Sequence, residues 1–120
     1  MPHKNVALVD NDPSMLKALH RLLIAHGFNV ESYTSAEAFL NRNTDNDVAC
    51  LILDIHLDGM SGIALRQQLA ASGSKLPVIF ITAFDNASTH HDAMNAGCVA
   101  YLQKPFPASS LIGAIDKAAS

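Results

Sequence analysis

Four polar stretches of this sequence combine residue types that bind phosphate and metal ions. They are Asp10–Asp12 (Asp-Asn-Asp), Asp54, Thr82 and Lys104. Two or three carboxylates with an amide can hold a hard cation such as Mg²⁺, which prefers oxygen ligands and keeps several of its waters. One carboxylate can instead attack phosphorus, while a hydroxyl and an ammonium group nearby bind the phosphoryl oxygens. These residue types therefore predict a phosphoryl-transfer site that has no dedicated base.

Each polar stretch follows an apolar run with the length of a buried strand. The runs are Val6–Val9, Val48–Leu53, Pro77–Ile81 and Cys98–Leu102, and a strand with one exposed face is predicted over Phe28–Tyr33. Helical patterns follow over residues 13–26, 36–40, 63–71, 88–96 and 107–119, and residues 42–47 form a predicted polar loop. Strands that are apolar on both faces are typical of a parallel sheet covered by helices on both sides. Ligands bind such sheets beyond the carboxyl ends of the strands, so the four polar stretches should converge at one edge.

Each candidate residue also has an ordinary structural explanation when it is taken alone. Asp12 before Pro13 is typical of a helix N-cap, and Asp54 by itself fits an ordinary loop carboxylate as well as it fits a functional one. Thr82 alone is more often a turn residue, and Lys104 alone is more often a solvated amine. The prediction of a phosphoryl site therefore depends on all four stretches ending strands at the same edge.

Composition limits the class of protein. The 120 residues are 49% apolar and 16% charged, which suits one folded domain and argues against disorder. Lys plus Arg number 8 and Asp plus Glu 11, and a net charge of −3 makes direct binding of nucleic acid by this domain unexpected. Cys50 and Cys98 are too few for a disulfide framework or a zinc site, so we expect buried free thiols in a cytoplasmic protein. No apolar stretch approaches the roughly 18 residues of a membrane span, and no membrane partner is expected.

Five short motifs occur in order along the chain. They are Val9–Asp12, Leu53-Asp54 followed by Gly59–Gly62, Ile81–Ala83, Ala96-Gly97 and Lys104–Phe106. With these motifs at these separations, the sequence resembles the receiver domains of response regulators over essentially its full length. The resemblance implies a flavodoxin-like (βα)5 fold of the α/β class, a doubly wound parallel sheet with strand order 2-1-3-4-5. It also implies that residues 1–120 form one domain of a two-component system, and that this domain is not an enzyme beyond slow self-dephosphorylation.

The resemblance implies a role for each polar stretch. Asp54 would be the phosphoacceptor, and a sensor histidine kinase or a phosphotransfer protein would be the donor and partner. The cofactor Mg²⁺ would be held by Asp10, Asn11, Asp54 and the backbone carbonyl of His56. Thr82 and Lys104 would bind the phosphoryl oxygens. Tyr101 would be the switch aromatic, turning inward when Thr82 moves, and the Lys104–Pro105 bond would be cis.

Three positions depart from the usual pattern of the family. Asn11 falls at the direct metal-ligand position, where the family usually has an acid, so the metal site loses one charge. Asp58 stands where proline is usual, which predicts a looser or more acidic loop. His56 and Phe84 occupy the positions that flank the path of the hydrolytic water, and the bulk of Phe84 predicts slow loss of the phosphoryl group. We also expect His90 and His91 to lie on the exposed side of the fourth helix.

Alternative functions remain open at this point. A receiver-like interaction module would act without phosphorylation because Asn11 weakens the metal site. A phosphatase that forms an aspartyl phosphate would need an acid at position 56, where the chain has histidine. A dinucleotide-binding fold lacks its glycine motif after the first strand. The chain is either a stand-alone regulator or one domain of a longer one, and residues 35–40 resemble receivers that precede a helix-turn-helix DNA-binding domain. Partners would read the face of the fourth helix, last strand and last helix, with homodimerisation on phosphorylation as one outcome.

Overall fold

A computed structural model describes residues 4–42, 48–84 and 86–119. Strands and helices alternate along the described chain. In order they are β1 (Asn5–Val9), α1 (Pro13–Ala25), β2 (Asn29–Tyr33), α2 (Ala36–Leu40), β3 (Cys50–Asp54), α3 (Gly62–Ala71), β4 (Val78–Thr82), α4 (Ala87–Ala96), β5 (Ala100–Gln103) and α5 (Ala108–Ala119). Every predicted element is present, and the predicted bounds differ from these by one or two residues. The polar loop predicted over residues 42–47 lies, apart from Arg42, outside the described residues.

The five strands form one parallel sheet in the order β2-β1-β3-β4-β5, which confirms the predicted fold class. The central strands are in register across the sheet, with Leu8 paired to Ile52 and Ile52 paired to Ile79. Asp54 is the last residue of β3 and Thr82 the last of β4. Because all strands run in the same direction, the residues that follow β1, β3, β4 and β5 meet at one edge.

The core consists of two apolar layers, one on each face of the sheet. Side chains of a strand alternate between faces, so Ile52 of β3 packs in one layer and Leu53 in the other. Residues of α1 and α5 complete the first layer, and residues of α2, α3 and α4 complete the second. This two-sided burial explains why the central strands are apolar throughout, and it fixes the carboxyl ends of the strands in place.

The two cysteines differ in burial. Cys50 is fully buried in β3, as predicted, and burial raises the pKa of its thiol to about 12. The prediction for Cys98 is wrong in degree, since this thiol is only half-buried. Cys98 lies in the connection before β5, an edge strand that begins at Ala100 and leaves the preceding residues partly open to solvent.

Side-chain caps fix where the helices begin. The Asp12 carboxylate accepts a hydrogen bond from the Ser14 N–H at 3.0 Å, and the Ser35 hydroxyl accepts one from the Ala38 N–H at 3.0 Å. The cap at Asp12 was predicted from the Asp12-Pro13 pair. Asn86 caps α4, accepting from Thr89 N–H, so this helix begins one residue before the predicted Ser88. Within the described ranges, no helix combines the length and the apolar character needed to cross a bilayer.

Candidate functional site

A cleft of about 260 Å³ opens at the carboxyl ends of β1, β3 and β4. It is lined by Asp10, Asn11, Asp12, Asp54, His56, Ala83, Phe84 and Lys104. These residues follow or end four different strands, as the parallel topology requires. The cleft therefore gathers most of the polar residues that the sequence singled out.

Two buried carboxylates and one ammonium group form the floor of the cleft. Lys104 Nζ donates to Asp10 Oδ2 at 2.8 Å and to Asp54 Oδ2 at 3.0 Å. Asp10 is 0% exposed and Asp54 is 5% exposed, and the Lys104 side chain is 14% exposed. The Lys104–Pro105 peptide bond is cis, the isomer that the resemblance implies. One cation is thus shared between two acids that are largely removed from water.

The second oxygen of each carboxylate is held by the backbone. Asp10 Oδ1 accepts a hydrogen bond from the Asp12 N–H at 2.9 Å, and Asp54 Oδ1 accepts one from the His56 N–H at 3.0 Å. Each acid is therefore fixed on one side by a turn of its own loop and on the other by Lys104. This support sets the orientation of both carboxylates before any ligand binds.

The cleft floor carries more negative than positive charge, because two carboxylates share one ammonium group. Burial raises the pKa of Asp54, and the nearby Asp10 charge raises it further, against the opposing hydrogen bonds from Lys104 and His56. For Lys104, burial alone would lower the pKa, but the hydrogen bonds to Asp10 and Asp54 raise it overall. Lys104 is therefore a cation at neutral pH, and the ionised Asp54 carboxylate would gain from a second positive charge.

The donor set fits a hard divalent cation. Among the described residues no three His, Cys, Asp or Glu side chains form a metal cluster, so a zinc-type site is not formed there. Mg²⁺ needs only one or two carboxylates, because it keeps several waters. Asp10 and Asp54 supply two, and the exposed Asn11 lines the same cleft. Asp12, by contrast, directs its carboxylate to the start of α1.

Thr82 is the candidate that does not join this hydrogen-bonded group. Its side chain is fully buried, and its hydroxyl accepts from the Phe84 N–H at 3.0 Å and donates to the Phe84 carbonyl at 3.1 Å. The main chain is nonetheless tied to the site, because the Lys104 N–H donates to the Thr82 carbonyl at 2.7 Å. Thr82 thus lies beside the acids and Lys104 along the sheet, with its hydroxyl occupied by its own loop.

Two aromatic rings stand together at the mouth of the cleft. The His56 and Phe84 rings meet edge to face, with centroids 5.5 Å apart and an interplanar angle of 83°. Phe84 is 67% exposed, which is unusual for a large apolar side chain. The two positions that the resemblance places along the path of water are therefore in contact with each other.

Tyr101 and His90 form a second ring pair on the flank of the sheet. Tyr101 of β5 is half-buried, and the His90 ring of α4 stacks on it with centroids 4.7 Å apart and an angle of 27°. His90 and His91 are both exposed on α4, as expected, and His91 Nε2 lies 2.9 Å from Asn95 Nδ2. The stacking was not predicted, because nothing in the sequence gives the position of α4 against β5.

Glu37 is a residue that sequence reasoning missed. Its Oε2 accepts a hydrogen bond from the Met60 N–H at 3.0 Å, and this bond lowers the pKa of the Glu37 carboxyl. Gly59 has φ +74°, and a Cβ there would lie 2.7 Å from Glu37 Oε2. The glycine therefore lets α2 approach the loop that follows β3. Asp58, the departure from the usual proline, is exposed in the same loop.

Comparison with known proteins gives one consistent result. The family described as "Response regulator receiver domain" matches residues 6–116. Among curated proteins, the chain is 36% identical over 113 residues to "Response regulator protein TodT" of Pseudomonas putida, covering 94% of this chain and 50% of that protein. It is 33% identical over 113 residues to "Transcriptional regulatory protein TdiR" of Thauera aromatica, again covering 94% and 50%. The chain thus spans about half the length of the curated relatives that it matches.

A solved structure agrees in fold. The structure titled "Crystal structure of FixJ-N" superposes with a TM-score of 0.90 at 34% identity, covering 99% of this chain and 95% of that one.

Proposed function

This chain belongs to the family of response regulator receiver domains, and from that premise we propose that it is a phosphoacceptor switch of a two-component system. Asp54 takes a phosphoryl group from a histidine of a sensor kinase or of a phosphotransfer protein. In that step a carboxylate oxygen of Asp54 forms the new bond to phosphorus, the phosphorus–nitrogen bond breaks, and the donor histidine leaves. The domain itself is not an enzyme beyond slow loss of its own phosphoryl group.

The observation that carries this proposal is the shared ammonium group on the cleft floor. Lys104 Nζ already lies 3.0 Å from Asp54 Oδ2, so it can follow the charge onto a phosphoryl oxygen once that carboxylate is esterified. Asp10 Oδ2, 2.8 Å from the same Nζ, keeps Lys104 in place during the change. Mg²⁺, when bound by Asp10, Asn11, Asp54 and the His56 carbonyl, would neutralise the negative charge that builds up on the phosphoryl oxygens.

The response to phosphorylation begins at Thr82 in this proposal. Its hydroxyl now donates its single proton to the Phe84 carbonyl, and it must give up that bond to donate to a phosphoryl oxygen on Asp54. The two outcomes for the hydroxyl are exclusive, which is what a two-state switch requires. Tyr101, half-buried beside α4, then moves inward and changes the face formed by α4, β5 and α5.

The output belongs to parts outside this domain. Relatives named as response or transcriptional regulators are about twice as long, and we propose that residues 1–120 are the receiver domain of such a protein. Any contact with DNA would come from an attached output domain, because a domain of net charge −3 lacks the clustered cations that phosphate contacts need. Homodimerisation on phosphorylation and a cytoplasmic location are parts of the same proposal.

Labelling with a small phosphodonor tests the assignment. Incubation with acetyl phosphate and Mg²⁺ should add the mass of one phosphoryl group to the intact protein. Asp54→Asn should abolish the added mass, whereas Asp12→Asn, which changes a cleft-lining carboxylate that is directed to the start of α1, should keep it. Persistence of the mass on Asp54→Asn would refute the choice of Asp54.

A second candidate function is favoured by Asn11. An amide at the metal-ligand position gives a weaker magnesium site. A domain whose cleft does not bind Mg²⁺ and is not phosphorylated would act as an interaction module. Absence of label on the wild-type chain, at Mg²⁺ concentrations that saturate the Asn11→Asp variant, would select this candidate over the switch.

A further inference from the structure

A second cavity lies at the opposite edge of the sheet from Asp54. It has a volume of about 300 Å³ and is formed by the segments 75–78 and 97–99, which lead into β4 and β5, together with Arg66 of α3. Apart from the buried Val78, its lining residues are half-exposed or exposed, so small molecules can reach it from solvent. It shares no lining residue with the phosphoacceptor cleft.

Arg66 lines this cavity, and one nitrogen of its guanidinium group lacks a hydrogen-bond partner. Arg66 Nε donates to the Gly97 carbonyl at 3.0 Å, which fixes the plane of the guanidinium group. Nη1 of the same group is buried and makes no hydrogen bond to any described residue. Buried polar atoms are nearly always paired, and a charged donor is the costliest kind to leave unpaired. The guanidinium group that lines the cavity therefore carries a positive charge and a donor that no described residue satisfies.

The second charged residue at the cavity, like Arg66, is positive. Lys75 lies at its exposed rim, and the described carboxylates form no ion pair with either Lys75 or Arg66. The chain is acidic overall, with a net charge of −3, so two cations at one cavity with no carboxylate partner make that cavity locally positive. By comparison, Arg42 is paired with Glu31, and Lys104 is paired with two acids.

We propose that this cavity is a binding site for a small oxyanion, such as the carboxylate or phosphate group of a metabolite. The guanidinium group of Arg66, held in place by its bond to Gly97, contributes a positive charge to the cavity wall, and the planar fork of arginine suits both carboxylate and phosphate. Lys75 supplies a second charge at the entrance. Because Arg66 also holds the Gly97 carbonyl at the end of α4, a bound anion would rest on the junction of α3 and α4.

Cys98 provides a built-in reporter for the site. Its half-buried thiol lines the same cavity, whereas Cys50 is fully buried in β3 and serves as an internal reference. Burial raises the pKa of Cys98, and the Arg66 charge offsets part of that effect. An anion on Arg66 would both cover the thiol and cancel the offset, so both effects slow alkylation of Cys98.

The experiment measures the rate at which iodoacetamide alkylates Cys98 in the full chain, by peptide mass spectrometry, without divalent ions. Inorganic phosphate and citrate are compared with chloride at equal ionic strength. We expect about a threefold slower rate at an anion concentration of about twice Kd, following 1 + [L]/Kd. Protection by phosphate alone identifies a phosphate site, and protection by both anions identifies a general oxyanion site.

Variants decide whether protection comes from the cavity. Lys75→Gln, at an exposed position that leaves the fold intact, should weaken protection, and Arg66→Gln should remove it. Arg21→Gln, an exposed arginine of α1, should leave protection unchanged. Equal rates in phosphate, citrate and chloride would overturn the proposal. Protection that survives both Lys75→Gln and Arg66→Gln would also overturn it.

Discussion

The two sides of the phosphoacceptor cleft differ in whether their polar side chains are already hydrogen-bonded to one another. On one side, Asp10 and Asp54 are bonded to Lys104 at 2.8 and 3.0 Å, and each carboxylate is also held by a backbone N–H. On the other side, the Thr82 hydroxyl is bonded to Phe84. The first side is prepared to bind charge without rearrangement. The second side must exchange existing bonds, so it can respond to what the first side binds.

The strongest way to break the assembled side is to remove its shared cation. Lys104→Met should lower the free energy of unfolding by about 3 kcal/mol, because two buried carboxylates would be left facing each other without a counter-charge. Urea unfolding in the presence of EDTA measures this loss. Lys17→Met, at an exposed lysine of α1, should change stability by less than about 0.5 kcal/mol.

The loss should also depend on pH with a definite sign. The pKa of Asp54 is raised in the folded protein, so its carboxylate opposes folding at any pH above its ordinary value of 3.8. Protonation removes that cost, and the deficit of Lys104→Met should therefore shrink as the pH falls into the acid range. A deficit that is small at neutral pH, or that grows on acidification, would show that Lys104 does not stabilise the pair.

A smaller effect is expected from a substitution that adds a carboxylate to the side of the cleft formed by Asp10, Asp54 and Lys104. Asn11→Asp restores a charge at the cleft and should tighten Mg²⁺ binding by about tenfold, equivalent to about 1.4 kcal/mol. Calorimetric titration of the unphosphorylated protein measures the affinity. The added charge should also destabilise the metal-free protein, since it joins two buried carboxylates.

Asp12→Asn is the matched control for that titration. The Asp12 carboxylate caps α1, so its loss should leave Mg²⁺ affinity nearly unchanged and weaken only the start of the helix. If Asp12→Asn loses affinity while Asn11→Asp gains none, the metal is bound by Asp12 and our choice of Asn11 is wrong.

The smallest expected effect concerns Phe84, whose ring contacts His56 at the mouth of the cleft on the side of Thr82. Phe84→Ala should speed hydrolysis of the phosphorylated protein about threefold, or about 0.6 kcal/mol in barrier, because we expect the ring, at a position that the resemblance places beside the path of water, to shield Asp54. Phe84→Leu keeps an apolar cover and should stay near the wild-type rate. The readout is the decay of the phosphoryl mass after the donor is removed, and equal rates for wild type and Phe84→Ala would refute a shielding role.

The sequence predicted the fold and the assembled side well, for a physical reason. Apolar runs such as Cys50–Leu53 can be satisfied only by burial on both faces, and a parallel sheet then brings Asp10, Asp54 and Lys104 to one edge. The cap at Asp12 was equally predictable, because its hydrogen bond is local.

What sequence reasoning missed depends on contacts between distant segments. The bond from Met60 to Glu37 joins residues 23 apart, and that from Arg66 to Gly97 joins residues 31 apart. Neither leaves a periodic signal in the chain. The orientation of the Thr82 hydroxyl was also out of reach, because it depends on the turn of the following loop.

The stacking of His90 on Tyr101 has an optical consequence. The chain contains two tyrosines and no tryptophan, so its intrinsic emission comes from tyrosine alone. The Tyr33 hydroxyl donates to Glu31 Oε1 at 2.6 Å, and a carboxylate at that distance quenches phenol emission by accepting its proton. The remaining fluorescence therefore reports mainly on Tyr101 and its contact with α4. A change in that contact, such as the inward movement of Tyr101 that we propose, can be followed in the unlabelled protein, in real time, as the phosphoacceptor cleft takes up Mg²⁺ and a phosphodonor.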